Sequence, residues 1–426
     1  MERPVRIAFL SELASPVALL GSADADSQNV YVDEVSSNLA QRGYAVDVFT
    51  RRDDPSLPEI IDWKPGVRVI HLAAGPFKPI PKDELWPYMP DFRAAFQRFL
   101  LYDEVHYDLL HSNSWMSGWV AIELKRQLGL PVVQIFHAMG KTKQCYRQEQ
   151  DTGPDERIRV EVVRMADRLV AQCPSERNEL IEDYRAAPAK VVIIPSAVNT
   201  RVFYPVPRDE ARRLLGLAPD NFVVVYVGCI LPHKDVRNVV RAVALLVRQL
   251  EQEQRAPRVT LMIVGGETVE PAPQATPEID ELQRLAAEPG ISNYLRFTGK
   301  RRQETLRYYY SAADVVVSTP WYEPFGLTPL EAMACERPVI GSAVGCLTYT
   351  IADGETGFLV PPRAPEQVTQ HLYDLYMHPQ RCQQMGYAAR LRVEQEFTWP
   401  VVALRTSSLY KSLLNSALPI LFSSVT

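Results

Sequence analysis

Short apolar runs alternate with segments of helical periodicity along most of the 426 residues. The runs at residues 7–10, 45–50 and 131–136 read as strands, and the segments at 31–42 and 115–128 read as helices. Strands that alternate with helices in this way form a parallel sheet with helices on both faces. The alternation therefore predicts an α/β protein.

The same alternation restarts after a proline-marked segment, Tyr204-Pro205-Val206-Pro207. A chain of this length also exceeds the usual size of a single core. We therefore predict two Rossmann-like, doubly wound domains that face each other across a cleft. They span residues 1–205 and 206–398, and a C-terminal helix within 399–426 returns to the first domain. A cleft between two domains is a preferred place for a ligand.

Charge and composition exclude several classes of function. A net charge of −5 does not favour a nucleic-acid or membrane-surface partner. No apolar run approaches the roughly 18 residues needed to cross a bilayer, and the N-terminal strand does not resemble a signal peptide. The six cysteines are scattered without paired spacing, so neither a metal site nor a disulfide framework is indicated. We expect a cytoplasmic protein, and the sequence leaves its oligomeric state open.

Two glutamates separated by seven residues follow the apolar run at 313–318, in the segment Glu323-Pro324-Phe325-Gly326-Leu327-Thr328-Pro329-Leu330-Glu331. Thr328 can cap a helix, Pro329 suits its first turn, and Glu331 stands three residues beyond the cap. Ligands of parallel sheets bind at the carboxyl ends of strands, where both carboxylates would accept hydroxyl hydrogen bonds. The alternative is that Thr328 and Glu331 form only a capping box.

A lysine stands at the start of a second predicted helix, in Gly228-Cys229-Ile230-Leu231-Pro232-His233-Lys234-Asp235. A strand at 222–227 precedes this segment. A cation beside a helix N-terminus is suited to binding a diphosphate. The alternative is a solvated lysine with no ligand.

A small-residue loop that contains Gly21 links the first strand to the first helix, and Gln28 and Asn29 follow it. Such a loop lets backbone amides approach phosphate or sugar oxygens. Its Asp24-Ala25-Asp26 segment imitates a metal-binding motif of a different fold, and we expect no metal here.

His137 ends the predicted strand at 131–136, where it either faces a ligand or packs in the core. Four basic residues are suited to an acceptor phosphate: Lys82, Lys143, Arg157 and Arg159. Alternatively, Arg157 forms only a helical ion pair with Glu161.

Together, these segments resemble the retaining group 1 glycosyltransferases of GT-B architecture, in particular the bacterial and cyanobacterial sucrose-phosphate synthases. The two glutamates match the Glu-x7-Glu signature of that family, and Gln28-Asn29-Val30-Tyr31-Val32 matches the end of its glycine loop. Some positions differ from the family pattern: Asp26-Ser27 replaces Gly-Gly, Cys229 replaces an arginine, and Ala197 and Cys346 each replace a glycine.

The resemblance implies transfer of glucose from a nucleoside diphosphate, most often UDP, to fructose 6-phosphate, without a cofactor or metal. It implies three catalytic residues: Glu323, His137 and Lys234. It implies donor binding by Gly21, Lys234, Arg296, Phe297, Glu323, Phe325, Gly326, Leu327 and Glu331. It implies acceptor binding by Gln28, Asn29, Lys82, Lys143, Arg157 and Arg159.

Two alternatives remain open on the sequence. One is a glycosyltransferase that acts on an inositol phosphate, although Ser114 stands where that family uses a tyrosine. The other is a degenerate protein that binds sugar nucleotides without turnover, as the four departures from the family pattern would allow.

Overall fold

The computed structural model describes residues 3–20, 27–137, 139, 155–272, 276–287, 290–324 and 326–417. The chain divides into two compact units. Unit 1 comprises Met1–Pro195 and Trp399–Thr426, and unit 2 comprises Ser196–Thr398. Each unit contains its own sheet.

Unit 1 is built on an eight-stranded sheet in the order β3-β4-β2-β1-β5-β6-β7-β8. Its strands are β1 (Arg6–Leu10), β2 (Ala45–Arg51), β3 (Ile60–Lys64), β4 (Val67–Leu72), β5 (Leu109–Asn113), β6 (Val132–Ile135), β7 (Arg168–Ala171) and β8 (Val191–Ile193). All neighbours are parallel except β3, which pairs antiparallel with β4. Sequence reasoning missed β3 because its residues are exposed or only partly buried and form no apolar run.

The helices of unit 1 come from both parts of the chain. They are α1 (Ser27–Ala40), α2 (Met89–Asp103), α3 (Trp115–Leu128), α4 (Asp155–Met165), α5 (Pro174–Glu182) and α14 (Trp399–Ala417). The C-terminal helix α14 packs on α1. Its Tyr410 hydroxyl hydrogen-bonds the buried His111 Nδ1 on β5, which ties the end of the chain to the sheet.

Unit 2 contains a six-stranded parallel sheet in the order β11-β10-β9-β12-β13-β14. The strands are β9 (Phe222–Val227), β10 (Val259–Val264), β11 (Leu295–Gly299), β12 (Val315–Ser318), β13 (Val339–Ser342) and β14 (Gly357–Val360). The central strand β9, Phe-Val-Val-Val-Tyr-Val, is buried at every residue. Continuous apolar strands of this kind are typical of parallel sheets covered on both faces.

Helices cover the sheet of unit 2. They are α6 (Arg208–Leu214), α7 (Val236–Gln252), α8 (Pro277–Ala287), α9 (Gln303–Ala312), α10 (Leu327–Ala334), α11 (Leu347–Thr350), α12 (Pro365–Met377) and α13 (Pro379–Glu396). The predicted α/β class with two doubly wound domains is confirmed. Within the described residues, no helix is both long and apolar enough to cross a bilayer.

The boundary between the units lies about ten residues before the predicted position, between Pro195 and Ser196 rather than near 205. Val198 donates its backbone N–H to Phe397 O at 2.9 Å, and Phe203 is buried in the core of unit 2. These contacts attach the segment to unit 2 before the prolines are reached. The sequence prediction placed the boundary at the prolines because those long-range contacts leave no local pattern in the sequence.

Candidate functional site

The two loops that carry Lys234 and Glu323 meet at one place in the sheet of unit 2. From β9 the chain moves outward through β10 to β11, and it then returns to the other side of β9 as β12. The connections therefore diverge between β9 and β12, which creates a topological switch point. Ligands of open α/β sheets bind beside such a point, outside the carboxyl ends of the strands.

Lys234 and Glu323 form an ion pair at this switch point. The distance from Lys234 Nζ to Glu323 Oε2 is 2.7 Å. Glu323 is buried, and its other oxygen, Oε1, accepts a hydrogen bond from Gly326 N at 3.3 Å. A preformed cation–carboxylate pair at the carboxyl ends of strands can bind an anion through the lysine and sugar hydroxyls through the carboxylate.

The backbone of Glu323 is held from a neighbouring loop. Its carbonyl accepts a hydrogen bond from Cys346 N at 3.1 Å. A Cβ on Gly345 would lie 2.3 Å from the same carbonyl oxygen, so this close approach requires glycine. The Cys346 thiol, which stands in place of a second glycine, donates to Pro324 O at 2.8 Å.

The predicted capping box at Thr328 is wrong. Helix α10 begins at Leu327, and Gly326, with a left-handed φ of 67°, is its N-cap residue. Thr328 and Pro329 therefore lie inside the first turn. Gly326 N donates to the Glu323 carboxylate, three residues earlier in the chain.

Glu331 lies on α10 and is held apart from the ion pair. Its Oε2 accepts a hydrogen bond from Tyr310 OH at 2.7 Å. Burial raises the pKa of the Glu331 carboxyl to about 7, although the tyrosine hydrogen bond opposes the shift. Near neutral pH this group is therefore divided between its protonated and ionised forms.

The remaining predicted donor residues lie elsewhere in unit 2 or outside the described residues. Arg296 and Phe297 lie on the edge strand β11. Arg296 donates to Leu215 O, and Phe297 packs against the core of the unit. Gly21 and Phe325 lie outside the described residues.

Cys229 occupies the turn after β9, where the resemblance predicts an arginine. Its side chain is exposed, and its carbonyl accepts a hydrogen bond from Tyr226 OH at 2.7 Å. A thiol provides neither the permanent charge nor the planar set of N–H donors of a guanidinium.

Unit 1 contains a second switch point, between β1 and β5. From β1 the chain moves outward through β2 to β4 and returns on the other side of β1 as β5. Gln28 on α1 reaches this edge, where its Nε2 donates to Asn113 O at 2.7 Å. Asn29 instead donates to Ser15 O at 3.0 Å.

His137 follows β6 and joins the same polar cluster. Its Nε2 lies 3.1 Å from Asn113 Oδ1, and its Nδ1 lies 3.4 Å from Gln172 Nε2. Burial lowers the pKa of His137 to about 3, so the ring is neutral at physiological pH. Asn113 Oδ1 can only accept a hydrogen bond, so the Nε2–H tautomer fits these partners. The neutral ring can donate one hydrogen bond and accept another.

The predicted acceptor cations differ in their surroundings. Lys82 is exposed, and its positive charge lowers the pKa values of both His137 and the buried Glu12. Lys82 is therefore electrostatically coupled to the switch point of unit 1. Arg157, on α4, is also exposed, whereas Lys143 lies outside the described residues.

Arg159 is buried and forms a two-point ion pair with Asp155. Asp155 orients the guanidinium, and a role for Arg159 in binding the acceptor phosphate stays a prediction. The alternative pairing of Arg157 with Glu161 is not what the structure contains, because Glu161 forms an ion pair with Arg126 of α3.

Sequence reasoning missed two residues of the cluster in unit 1. Glu12 follows β1 and accepts a hydrogen bond from Ser114 OH at 2.5 Å, and burial raises the pKa of its carboxyl. Gln172 contacts His137. The charge that ends an apolar strand at Glu12 was a usable signal, whereas nothing local distinguished Gln172. Among the described residues, no group of acidic, histidine and cysteine side chains could hold a metal.

Comparisons with known proteins agree with this architecture. The family model for group 1 glycosyl transferases matches residues 207–392, and the model for glycosyltransferase family 4 matches residues 28–202. The D-inositol 3-phosphate glycosyltransferase of Kineococcus radiotolerans is 38% identical, with 95% of each chain covered. That of Streptomyces scabiei is 35% identical, with 97% of this chain and 92% of the relative covered.

Solved structures of similar proteins also match this chain over nearly its whole length. Sucrose-phosphate synthase from Thermosynechococcus elongatus has a TM-score of 0.81 and 32% identity, and the match covers 97% of this chain and 100% of the other. HepE of Anabaena, in complex with UDP and glucose, has a TM-score of 0.70, and its 20% identity supports the fold alone. The match covers 96% of this chain and 100% of HepE. The chain therefore belongs to the group 1 glycosyltransferases, with two Rossmann-like domains of GT-B architecture.

Proposed function

We propose that this glycosyltransferase moves glucose from a nucleoside diphosphate, UDP in the first instance, to fructose 6-phosphate, and that sucrose 6-phosphate is the product. The observation that carries the proposal is the Lys234–Glu323 ion pair at the switch point of unit 2. Likeness to sucrose-phosphate synthase over nearly the whole chain supports the choice of acceptor.

The proposed reaction depends mainly on stabilising the negative charge of the leaving group, and no protein side chain has to transfer the proton. The bond between the glucose C1 and the diphosphate oxygen breaks, and C1 bonds to the acceptor oxygen on the same face, with retention. The departing diphosphate takes the acceptor proton, and Lys234 stabilises the charge that develops on it. Such preorganised electrostatic stabilisation is usually a large contribution to catalysis.

The other residues position the reactants in this proposal. Glu323 accepts hydrogen bonds from the glucose hydroxyls, and Glu331 accepts them from the ribose of the nucleotide. The neutral His137, whose Nε2–H donates to Asn113 Oδ1, orders the polar cluster near the transferred sugar. Lys82 and Arg157, together with Lys143, bind the acceptor phosphate, and Gln28 orders the polar cluster beside them.

An inositol phosphate is the second candidate acceptor, because the curated relatives named above are D-inositol 3-phosphate glycosyltransferases. Ser114, which stands where that family uses a tyrosine, weighs against it. Its hydroxyl donates to Glu12, and its oxygen accepts from Met116 N and Ser117 N at the start of α3. A side chain used in this way does not replace a tyrosine that reaches a ligand.

Release of UDP from UDP-glucose, measured with each acceptor in turn, tests the proposal. We expect rapid release with fructose 6-phosphate and only slow hydrolysis without an acceptor. Faster release with inositol 3-phosphate would replace the acceptor in the proposal. Tight UDP binding without release on either acceptor would instead indicate a sugar-nucleotide-binding protein that has lost turnover.

Nucleotide affinity is expected to fall as the pH drops through about 7, the raised pKa of the Glu331 carboxyl. Only the ionised carboxylate accepts hydrogen bonds from both ribose hydroxyls, because the protonated form uses one oxygen as a donor. Calorimetric titration of UDP across this range measures the effect. Glu331→Gln should flatten the profile, since titration of the nucleotide itself is common to both proteins.

Tyr310→Phe gives a sharper version of the same experiment. The Tyr310 hydroxyl donates to Glu331 and lowers the pKa of that carboxyl. Its removal should therefore move the fall in affinity to higher pH. An unchanged midpoint in Tyr310→Phe would assign the pH dependence to another group.

A further inference from the structure

The family pattern provides two cations for the diphosphate of the donor, and this chain keeps one of them. Lys234 is present, whereas Cys229 stands where the second cation is expected. Two other arginines of unit 2, Arg237 and Arg301, already have partners. Arg237 forms an ion pair with Glu281, and Arg301 donates to Tyr309 OH and to Val269 O.

Trp321 joins the two loops that carry Lys234 and Glu323. Its backbone N donates to His233 O at 2.8 Å, and its indole Nε1 donates to Asp235 Oδ2 at 2.8 Å. His233 and Asp235 are the residues on either side of Lys234. The indole ring is therefore held against the lysine-bearing turn, two residues before Glu323.

Arg363 lies over this indole ring. Its guanidinium carbon is 4.0 Å from the ring centroid, a distance suited to a cation–π contact. The side chain is exposed, and it forms no hydrogen bond or ion pair with the described part of the chain. Stacking on a ring orients a guanidinium while its N–H donors stay available at the edges.

The backbone of Arg363 supports a specific role for this side chain. Its φ of 59° lies in the left-handed region, which an arginine rarely adopts. Residues held in such a conformation occur preferentially at ligand sites. The strained turn follows β14, so it lies at the same carboxyl edge of the sheet as the loops of Lys234 and Glu323.

We propose that Arg363, oriented by Trp321, is the second cation of the diphosphate site and replaces the arginine that Cys229 displaces. The inference rests on the proposed function, because it assumes that Lys234 binds a nucleoside diphosphate. One phosphoryl group then binds Lys234, and the other binds the exposed edge of the guanidinium.

Arg363→Gln should weaken binding of UDP by about tenfold, the lower end of the effect of losing a hydrogen bond to a charged group. Binding of UMP, which has no second phosphoryl group, should weaken less. Titration calorimetry measures both. Arg284→Gln is the matched control, because it removes an equal charge from an exposed arginine on α8 of the same unit.

Rescue separates a phosphate contact from a structural role. In the Arg363→Gln background, Cys229→Arg should restore most of the lost UDP affinity, because it supplies a cation to the same diphosphate. Three results would overturn this inference without touching the proposed function. They are wild-type UDP affinity in Arg363→Gln, an equal loss of UDP affinity in Arg284→Gln, and an equal loss of UMP affinity in Arg363→Gln. If the wild-type protein binds none of UDP, ADP and GDP, the proposed function fails together with the inference.

Discussion

Replacing either Lys234 or Glu323 with alanine is expected to lower kcat for sugar transfer by at least about tenfold, equivalent to roughly 1.4 kcal/mol of barrier. In the proposed mechanism, Lys234→Ala removes the charge that stabilises the departing diphosphate, and Glu323→Ala removes the carboxylate that positions the glucose. Glu323→Ala also leaves Lys234 without its partner at 2.7 Å. Loss of one member of a partly buried ion pair leaves the other uncompensated.

The experiment separates catalysis from folding. Circular dichroism and thermal unfolding should show that both variants stay folded, because neither side chain lies in the hydrophobic core of unit 2. Arg258→Ala is the control, since it breaks an exposed ion pair with Asp220 in the same unit and should leave kcat unchanged. Wild-type kcat in Lys234→Ala or Glu323→Ala would refute the proposed site.

Glu323→Gln refines the assignment. The amide keeps the shape of the side chain and can still accept the hydrogen bond from Gly326 N, but it removes the negative charge. If charge positions the sugar and the lysine, Glu323→Gln should be nearly as slow as Glu323→Ala. A nearly normal Glu323→Gln would mean that the geometry of the turn matters more than its charge.

The fold was predictable because its signals are local and repeated. Buried strands such as β9 are continuous apolar runs, and helices fill the intervals between them. The sequence also predicts that Lys234 and Glu323 lie at the same edge of the sheet, because each residue stands after a parallel strand. Sequence alone did not reveal that β9 and β12 are neighbours, which brings the two side chains within 2.7 Å.

Most of the features that sequence reasoning missed depend on long-range contacts. Thr328 is a local exception: it is a good capping residue by type, but the helix begins before it, at Leu327, with Gly326 as its N-cap. The domain boundary lies before the prolines, not at them, because Phe203 packs in the core of unit 2. Nothing in the sequence singled out Arg363, and its stack on Trp321 is what distinguishes it. For Phe203 and Arg363, a partner that is distant in sequence decides the role of a residue whose local signal was weak.

Removal of the acceptor phosphate should have the second large effect. Unphosphorylated fructose is expected to be used at least about tenfold less efficiently than fructose 6-phosphate, judged by kcat/KM. Charge-assisted hydrogen bonds contribute about 1.5–3 kcal/mol each, and fructose would leave Lys82 and Arg157 without their anion. The coupling of Lys82 to the pKa values of Glu12 and His137 supports its placement near the acceptor.

Lys82→Met tests which cation carries this selectivity. The variant should lower the ratio of kcat/KM for fructose 6-phosphate to that for fructose, mainly through KM of the phosphorylated acceptor. Lys78→Met is the matched control, because Lys78 is also exposed, lies four residues earlier, and carries the same charge. Equal kcat/KM values for fructose and fructose 6-phosphate in the wild-type protein would mean that the basic residues of unit 1 are structural. If inositol 3-phosphate proves to be the acceptor, the same comparison with free inositol applies, because both acceptors carry a phosphate group.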